Sequence, residues 1–493
     1  MSVLIEVIKQ TDIFLEGRTK KERKQIGQFF TDEKTALFMA SLFDYNKCAS
    51  KIKVLDPGCG SGILSAAFIE VSKQNGIKQI DLTMVENNPE ILIILKENIK
   101  LFQQDKDIKV NVTLINDNYI THQALNFSMN SEKNDFMFDF IIGNPPYLKI
   151  PRTAPETVGM EKVIFGAPNL YFLFMSISVF NLKQSGELVY IIPRSWTSGA
   201  YFKKFRTFLF KKGYLSHVHL FISRSNSFEK EDVLQETIII KFVKSKDKIE
   251  KLKITSSADA RFDQISETAI DYTVAVRGVN YYVFLPINET QIDVLVQLDK
   301  FKGTLLDLGL KLKTGLTVDF KNRSSLREMR EDGVVPLIYS SNIVEGKVVF
   351  PVSKEKYQYL LPNQKGFIQE NKDYLLLKRF SSKEEKRRLQ PGIYLTEYID
   401  CETLSTDNKI NFVERLDKKA MLREEVYGLF VLFNSSIYDE YYRILNGSTQ
   451  VNSTEINDIP IPDIDSIRRL GKKLMDNVDL TTKYADEILS QVL

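Results

Sequence analysis

The chain has 493 residues, enough for two or three compact domains. With 43% hydrophobic, 27% charged and 11% aromatic residues, its composition excludes a largely disordered or fibrous protein. The formal net charge of +3 excludes nucleic-acid coating by bulk charge but not a local basic face.

Three cysteines (Cys48, Cys59, Cys401) and three histidines (His122, His217, His219) leave too little for a disulfide framework or a zinc cluster, so no metal site is expected. The longest apolar run, Leu170 to Leu182, is broken by Ser176, Ser178 and Asn181 and is too short to cross a bilayer. The N-terminus shows no apolar signal core. The expectation is a cytoplasmic protein with no membrane partner.

In chain order, residues 18–24 (RTKKERK) form a basic, helix-compatible run that reads as a solvated helix face. From residue 52 short β-rich runs alternate with helical patterns. Strands are expected at 53–56, 81–86, 110–115, 136–143 and 187–193, with crossover helices at 63–75 and 89–103. That rhythm predicts an α/β domain with a doubly wound, mainly parallel sheet, which places ligands at the carboxyl ends of its strands. A weaker strand pair follows at 216–222 and 236–242. The charged run 244–251 then reads as a domain edge, residues 300–460 mix turns, short strands and charged helices, and 464–493 reads as a terminal helix pair. The expected organisation is a catalytic domain at 1–245, a second domain of mixed α+β character at 246–463, and C-terminal helices at 464–493.

The chemistry-bearing residues sit at the expected strand ends. Asp56-Pro57-Gly58-Cys59-Gly60-Ser61-Gly62 lies between a strand and a helix, where glycines let the backbone turn sharply and approach a ligand closely. It lacks the Gly-Lys-Ser/Thr of a P-loop, which disfavours triphosphate hydrolysis. Glu86, ending the next strand and followed by Asn87, can accept hydrogen bonds from both ribose hydroxyls. Asp117, in Ile115-Asn116-Asp117-Asn118, suits an adenine amino group, although alone such a residue is more often a turn former.

Asn144-Pro145-Pro146-Tyr147 follows the apolar strand end Phe140-Ile141-Ile142-Gly143. Two prolines fix φ and remove N–H donors, leaving a stiff rim of acceptors. Asn144 Oδ1 and the Pro145 carbonyl together suit both hydrogens of an exocyclic amine, freeing its lone pair for attack on a methyl group. Tyr147 offers a face on which a planar base can stack.

These motifs, in this order, resemble the S-adenosylmethionine-dependent amino-methyltransferases. Gly27-Gln28-Phe29-Phe30-Thr31 is similar to the segment that DNA adenine-N6 enzymes fold over the cofactor. The motif order is that of their gamma class. Leu337–Asn342, Lys378–Arg388 and Asn446–Asn452 are similar to stretches of PstI/BsuBI-type modification methylases.

The resemblance implies a seven-stranded Rossmann-like methyltransferase sheet, S-adenosyl-L-methionine as cofactor, double-stranded DNA as partner and N6 of a flipped-out adenine as target. A C-terminal target-recognition domain is implied as well. It further implies a monomer, with any cognate restriction endonuclease a separate protein acting independently; whether one accompanies it is not written in the sequence. By resemblance, Gln28, Phe29, Phe30, Thr31 and the loop Asp56, Pro57, Gly58, Cys59, Gly60 and Gly62 cradle the methionine part. Glu86 with Asn87 takes the ribose, Asp117 with Asn118 the adenine. Asn144, Pro145, Pro146 and Tyr147 hold the target base. Phe228, in Asn226-Ser227-Phe228-Glu229, is the candidate for a further aromatic against it. Asn118 departs from the pattern, since an aromatic often follows the adenine-binding Asp.

The tetrapeptide alone does not choose between a DNA base, a protein glutamine amide and rRNA guanine. The long C-terminal part favours DNA, and Asn rather than Ser before Pro-Pro favours adenine-N6 over cytosine-N4. None of the three cysteines follows a proline, which sets cytosine-C5 chemistry aside. The basic window 372–388 is a candidate for phosphate contact, and residues 447–452 for contact with base edges.

Overall fold

The computed structural model describes residues 2–16, 31–47, 50–130, 136–222, 236–363, 365–381 and 385–491. The chain divides into two compact units, Met1–Ile287 and Asn288–Leu493.

The first unit is built from α1 (Val3–Leu15), α2 (Glu33–Ser41), β1 (Lys51–Pro57), α3 (Ile63–Gln74), β2 (Gln79–Val85), α4 (Pro89–Gln103), β3 (Lys109–Ile115), α5 (Tyr119–Ser128) and β4 (Phe138–Gly143). It continues with α6 (Leu170–Asn181), β5 (Leu182–Pro193), α7 (Lys203–Lys212), β6 (Tyr214–Phe221), β7 (Thr237–Val243), β8 (Lys251–Ser257) and β9 (Ile265–Asp271). These nine strands form one sheet in the order β3-β2-β1-β4-β5-β7-β6-β8-β9, and Val276–Arg277 pairs with Tyr282–Val283 in a separate two-stranded sheet. Strands β1 to β5 run parallel, β7 is antiparallel to both β5 and β6, β8 is parallel to β6 and β9 antiparallel to β8.

Local chemistry explains these elements. After two alternations β1 is continuously buried, as a parallel strand covered on both faces must be. The Asn-Asn-Pro after β2 starts α4: Asn88 Oδ1 accepts the N–H groups of Glu90 and Ile91, and Pro89 fills a first-turn position where no donor is needed. Helix α6 is buried nearly all round, so the long apolar run forms an internal layer. The core joins α1 to α4, the central strands and Phe221 in one cluster.

Among the described residues the sheet has nine strands rather than seven, and the edge expected near residue 245 falls inside it. Residues 244–250 connect β7 to β8, which pairs with β6, and β9 closes the sheet, so the first unit runs to Ile287. The outer strand β9 is mostly exposed, which is why its sequence carries little apolar signal.

The second unit contains a six-stranded sheet, ordered Leu310–Thr314, Ile410–Arg415, Tyr374–Lys378, Pro391–Tyr394, Lys347–Val348 and Ile343–Val344. It also holds a five-stranded sheet. Helices Ile464–Asp476 and Thr482–Leu489 are not a separate appendage: both pack on helix Arg423–Asn434 of the same unit. A Cβ at Gly428 would lie 2.0 Å from the Ile467 carbonyl and one at Gly471 1.9 Å from that of Glu424, so glycine permits this close helix crossing. No helix among the described residues is long and apolar enough to cross a membrane.

Candidate active site

Along the first unit's sheet the chain moves outward from β1 to β3, then returns to β4 on the other side of β1. The β1–β4 pair is therefore the switch point, and sheets of this kind bind ligands beyond the carboxyl ends of the strands there. The pairs Val54–Phe140 and Leu55–Ile141 set the two strands side by side, so the glycine turn and the Asn-Pro-Pro-Tyr segment leave from neighbouring strand ends.

The glycine turn is tightly held. The Gly58 and Cys59 N–H groups donate to the Val85 carbonyl, and Gly62 N–H donates to that of Cys59. Gly58, Gly60 and Gly62 have φ of +68°, +56° and +89°, the left-handed region that a side chain would strain. Helix α1 and α4 brace the turn from outside: Thr11 Oγ1 lies 2.9 Å from Ser61 Oγ, and Asn98 Nδ2 donates to the Ser61 carbonyl at 2.8 Å. Neither Thr11 nor Asn98 stands out in the sequence, because each looks like an ordinary polar residue on a helix.

Asp56 is fully buried at the end of β1. Its Oδ2 accepts from Ser65 Oγ at 2.7 Å, while Oδ1 has no hydrogen-bond partner among the described residues. Burial pushes its pKa up to about 7; the Ser65 bond works against that shift and the like charge of Glu86 adds to it. Glu86 is also buried. Its Oε2 accepts from Gly60 N–H at 3.0 Å, and its Oε1 from the N–H groups of Asn87 and Asn88 at 2.9 and 2.8 Å. Burial pushes the Cys59 thiol up, with Asp56 and Glu86 adding to the effect, so it stays a neutral packing group.

Asp117 is exposed at the end of β3. Its Oδ1 accepts from Asn118 N–H at 2.7 Å, and its Oδ2 lies 2.9 Å from His122 Nδ1. His122 holds the Asp117 carboxyl below the usual range, with the Asn118 N–H acting in the same direction. His122 lies in the first turns of α5, close enough to be brought to Asp117, yet its spacing matches no motif. Asn118 caps α5: its Oδ1 accepts from Ile120 and Thr121 N–H, and its Nδ2 donates to Glu156 Oε1. Asn87 is exposed beside Glu86 and takes part through its backbone.

Gly143 ends β4 against Tyr190, whose ring would lie 2.7 Å from a Cβ there. Pro145 is buried, and Asn144, Pro146 and Tyr147 are half-buried. Asn144 Nδ2 donates to Thr31 Oγ1 at 3.2 Å, so Thr31 is brought to the Asn-Pro-Pro-Tyr segment. Tyr147 OH lies 2.8 Å from Asn144 Oδ1 and 2.9 Å from the Ile191 carbonyl. Tyr171 packs edge-on against the Tyr147 ring, with centroids 6.3 Å apart. Burial raises the Tyr147 hydroxyl pKa well above its ordinary value, so it remains a neutral donor. Gln28, Phe29, Phe30 and Phe228 lie outside the described residues.

In the second unit the basic window 372–388 divides. Arg388 is 1% exposed, donating to Ser448 O and Asn446 Oδ1, and Arg387 donates to the carbonyls of Phe433 and Ser435. These guanidiniums spend their donors inside the fold, so the window is not one phosphate-binding face.

Residues 69–228 match the family model of the Eco57I restriction-modification methylase. Over 93% of this chain and 92% of the relative, the sequence is 34% identical to the type II methyltransferase M.BsuBI of Bacillus subtilis. It is 30% identical to the type II methyltransferase M.PstI of Providencia stuartii over 96% of this chain and 93% of the relative. The solved structure of the type IIL restriction-modification enzyme MmeI in complex with DNA is similar in fold, with a TM-score of 0.52 at 12% identity, covering 98% of this chain and 70% of that one.

Fold and relatives together define an S-adenosyl-L-methionine-dependent DNA methyltransferase. Within that class, the chain belongs to the type II restriction-modification DNA methyltransferase family, alongside M.BsuBI and M.PstI. The residues at the switch point fit the cofactor. A cationic molecule bearing an ammonium and a sulfonium suits a place with two buried carboxylates, one of which has an oxygen unpartnered among the described residues.

Proposed function

We propose that the enzyme methylates N6 of an adenine extruded from duplex DNA, as the modification half of a restriction-modification system. It acts as a monomer in the prokaryotic cytoplasm, and any cognate endonuclease is a separate, independently acting protein. The second unit serves as its target-recognition domain. The observation that carries this reading is the stiff acceptor rim Asn144-Pro145-Pro146-Tyr147, leaving β4 beside β1, which carries Asp56 next to its end.

Bound S-adenosyl-L-methionine supplies a methyl group on a sulfonium, an electrophile that needs no further activation. The chain's task is then orientation. Glu86 takes the ribose hydroxyls, Asp117 the adenine amine of the cofactor, and the glycine turn with residues 28–31 the methionine part. Asn144 Oδ1 and the Pro145 carbonyl accept the two hydrogens of the target amine, drawing nitrogen towards tetrahedral geometry with its lone pair free to attack. Thr31 supports this by accepting from Asn144 Nδ2, which turns Oδ1 away from Thr31. Stacking on Tyr147 and the paired amine bonds offset an extrusion cost of a few kcal/mol. The ammonium formed gives its surplus proton to water.

The reading is supported by Asn rather than Ser before Pro-Pro, by relatives of matching length named type II methyltransferases, and by the DNA complex of the MmeI enzyme. Asn144→Ala should keep cofactor and DNA affinity and lose about 10²–10³ in kcat, the usual cost of removing one positioned polar contact to a reacting group. Turnover like that of the wild type would contradict the role given to Asn144.

A further inference from the structure

Four segments of the second unit meet at one end of its six-stranded sheet. Strand Leu310–Thr314 runs antiparallel to Ile410–Arg415, which runs antiparallel to Tyr374–Lys378. The end of the first, the start of the second and the end of the third therefore share an edge. Backbone bonds stitch the adjoining loops together. Gly315 N–H donates to Ile410 O, Thr317 N–H to Thr406 O and Asn408 N–H to Thr317 O. Arg379 N–H donates to Lys409 O, and Val451 N–H returns to Arg379 O, which ties in the 446–452 turn. A Cβ at Gly315 would lie 2.1 Å from the Asp407 carbonyl, so the packing of these loops demands glycine there.

On this braced rim two phenylalanines stand in solvent, Phe320 at 60% and Phe380 at 45% exposure. A lone exposed apolar side chain needs no explanation. Here both rings lie in one bonded cluster: Phe320 follows Asp319, Asp319 pairs with Lys409 at 3.1 Å, and Lys409 O receives the N–H of the residue before Phe380. The Arg379 guanidinium, 5.7 Å from the Phe380 ring centroid, is oriented by the Asn408 carbonyl at 3.0 Å, and its Nη2 lies 3.5 Å from Gln450 Oε1. Lys321 and Arg323 add charge on the Phe320 loop. Arg388, buried beneath, fixes the 446–448 turn.

Base edges in the major groove are read by Arg, Asn and Gln, thymine methyls and base steps by apolar side chains, and phosphates by Lys and Arg. We infer that this rim is the base-reading surface of the second unit, with Arg379 and Gln450 contacting base edges and Phe320 and Phe380 making the apolar contacts. The inference deepens the function proposed above and rests on it.

The test uses the full chain carrying Phe320→Ala, Arg379→Gln or Gln450→Ala. Affinity for a duplex containing the site that the wild type methylates, and for a scrambled duplex, is read by fluorescence anisotropy; cofactor affinity is read by calorimetry. Arg379→Gln and Gln450→Ala should narrow the ratio between the two duplexes at least tenfold with cofactor affinity unchanged. Phe320→Ala, an exposed truncation with little to disturb in the fold, should weaken the specific duplex about tenfold. Wild-type ratios in all three variants would overturn the inference, as would equal weakening on both duplexes, which assigns phosphate contact only. A wild-type protein that methylates no adenine contradicts the proposed reaction instead, and that is scored separately by mapping its products.

Discussion

The pH dependence of cofactor binding should follow Asp56. Its carboxyl is wholly buried and held at a pKa of about 7, with Oδ1 unpartnered among the described residues. A cationic ligand favours the ionised form, so binding must expel the proton wherever the free protein still carries it. At pH 6 about a tenth of the molecules are ionised and at pH 8 about nine-tenths, which makes S-adenosyl-L-methionine bind about tenfold tighter at the higher pH, or ~1.4 kcal/mol. Calorimetry in two buffers of different ionisation enthalpy should register release of most of one proton near pH 6. Asp56→Asn should abolish both the release and the pH slope, and leave binding weak throughout. The stability of the cofactor-free protein runs the other way: the folded-state pKa lies above the unfolded value of 3.8, so the wild type loses stability relative to Asp56→Asn as pH rises from about 4 to about 7. A flat affinity across pH 6–8 in the wild type, with no proton released, would refute the reasoning.

Two further outcomes follow from the same geometry. Tyr147→Phe removes the hydroxyl contacts to Asn144 and Ile191 but keeps the ring, so kcat should fall by about tenfold or less, within the ~0.5–1.5 kcal/mol of a neutral hydrogen bond. Tyr147→Ala, which also loses stacking worth ~1–3 kcal/mol, should fall at least tenfold further; equal losses in steady-state turnover would assign the residue's role to its hydroxyl. His219 is buried among Phe38, Phe221 and Phe262, and burial lowers its pKa to about 3, with His217 adding to the shift. Its folded pKa lies below the unfolded value, so stability is full above about pH 6.5 and is lost as pH falls, by ~2 kcal/mol at pH 5 from this residue. Urea titrations of wild type and His219→Gln should show that part of the acid sensitivity vanish in the variant.

Strands β1 to β5 and their chemistry-bearing ends were legible in the sequence because each is an apolar run stopped by Gly, Pro or Asn, residues that must appear where a buried strand turns into a ligand loop. Strands β8 and β9 were not: the charged run before β8 imitates a linker, β8 itself (KLKITSS) fills its buried end with Thr and Ser rather than apolar residues, and β9, at the sheet edge, needs few apolar side chains. The pair Asp117–His122 and the braces Thr11 and Asn98 depend on contacts between elements, which no local pattern records. The basic window 372–388 misled for a related reason, since charge in a sequence does not reveal that Arg387 and Arg388 turn inward to satisfy carbonyls.

The most direct measurement incubates the full-length enzyme with S-adenosyl-L-methionine carrying a labelled methyl group and plasmid DNA, then identifies the modified nucleoside and maps its positions by single-molecule sequencing. The account predicts N6-methyladenine at one short recurring sequence. Label on cytosine N4, on protein or RNA, or on none of them would contradict it.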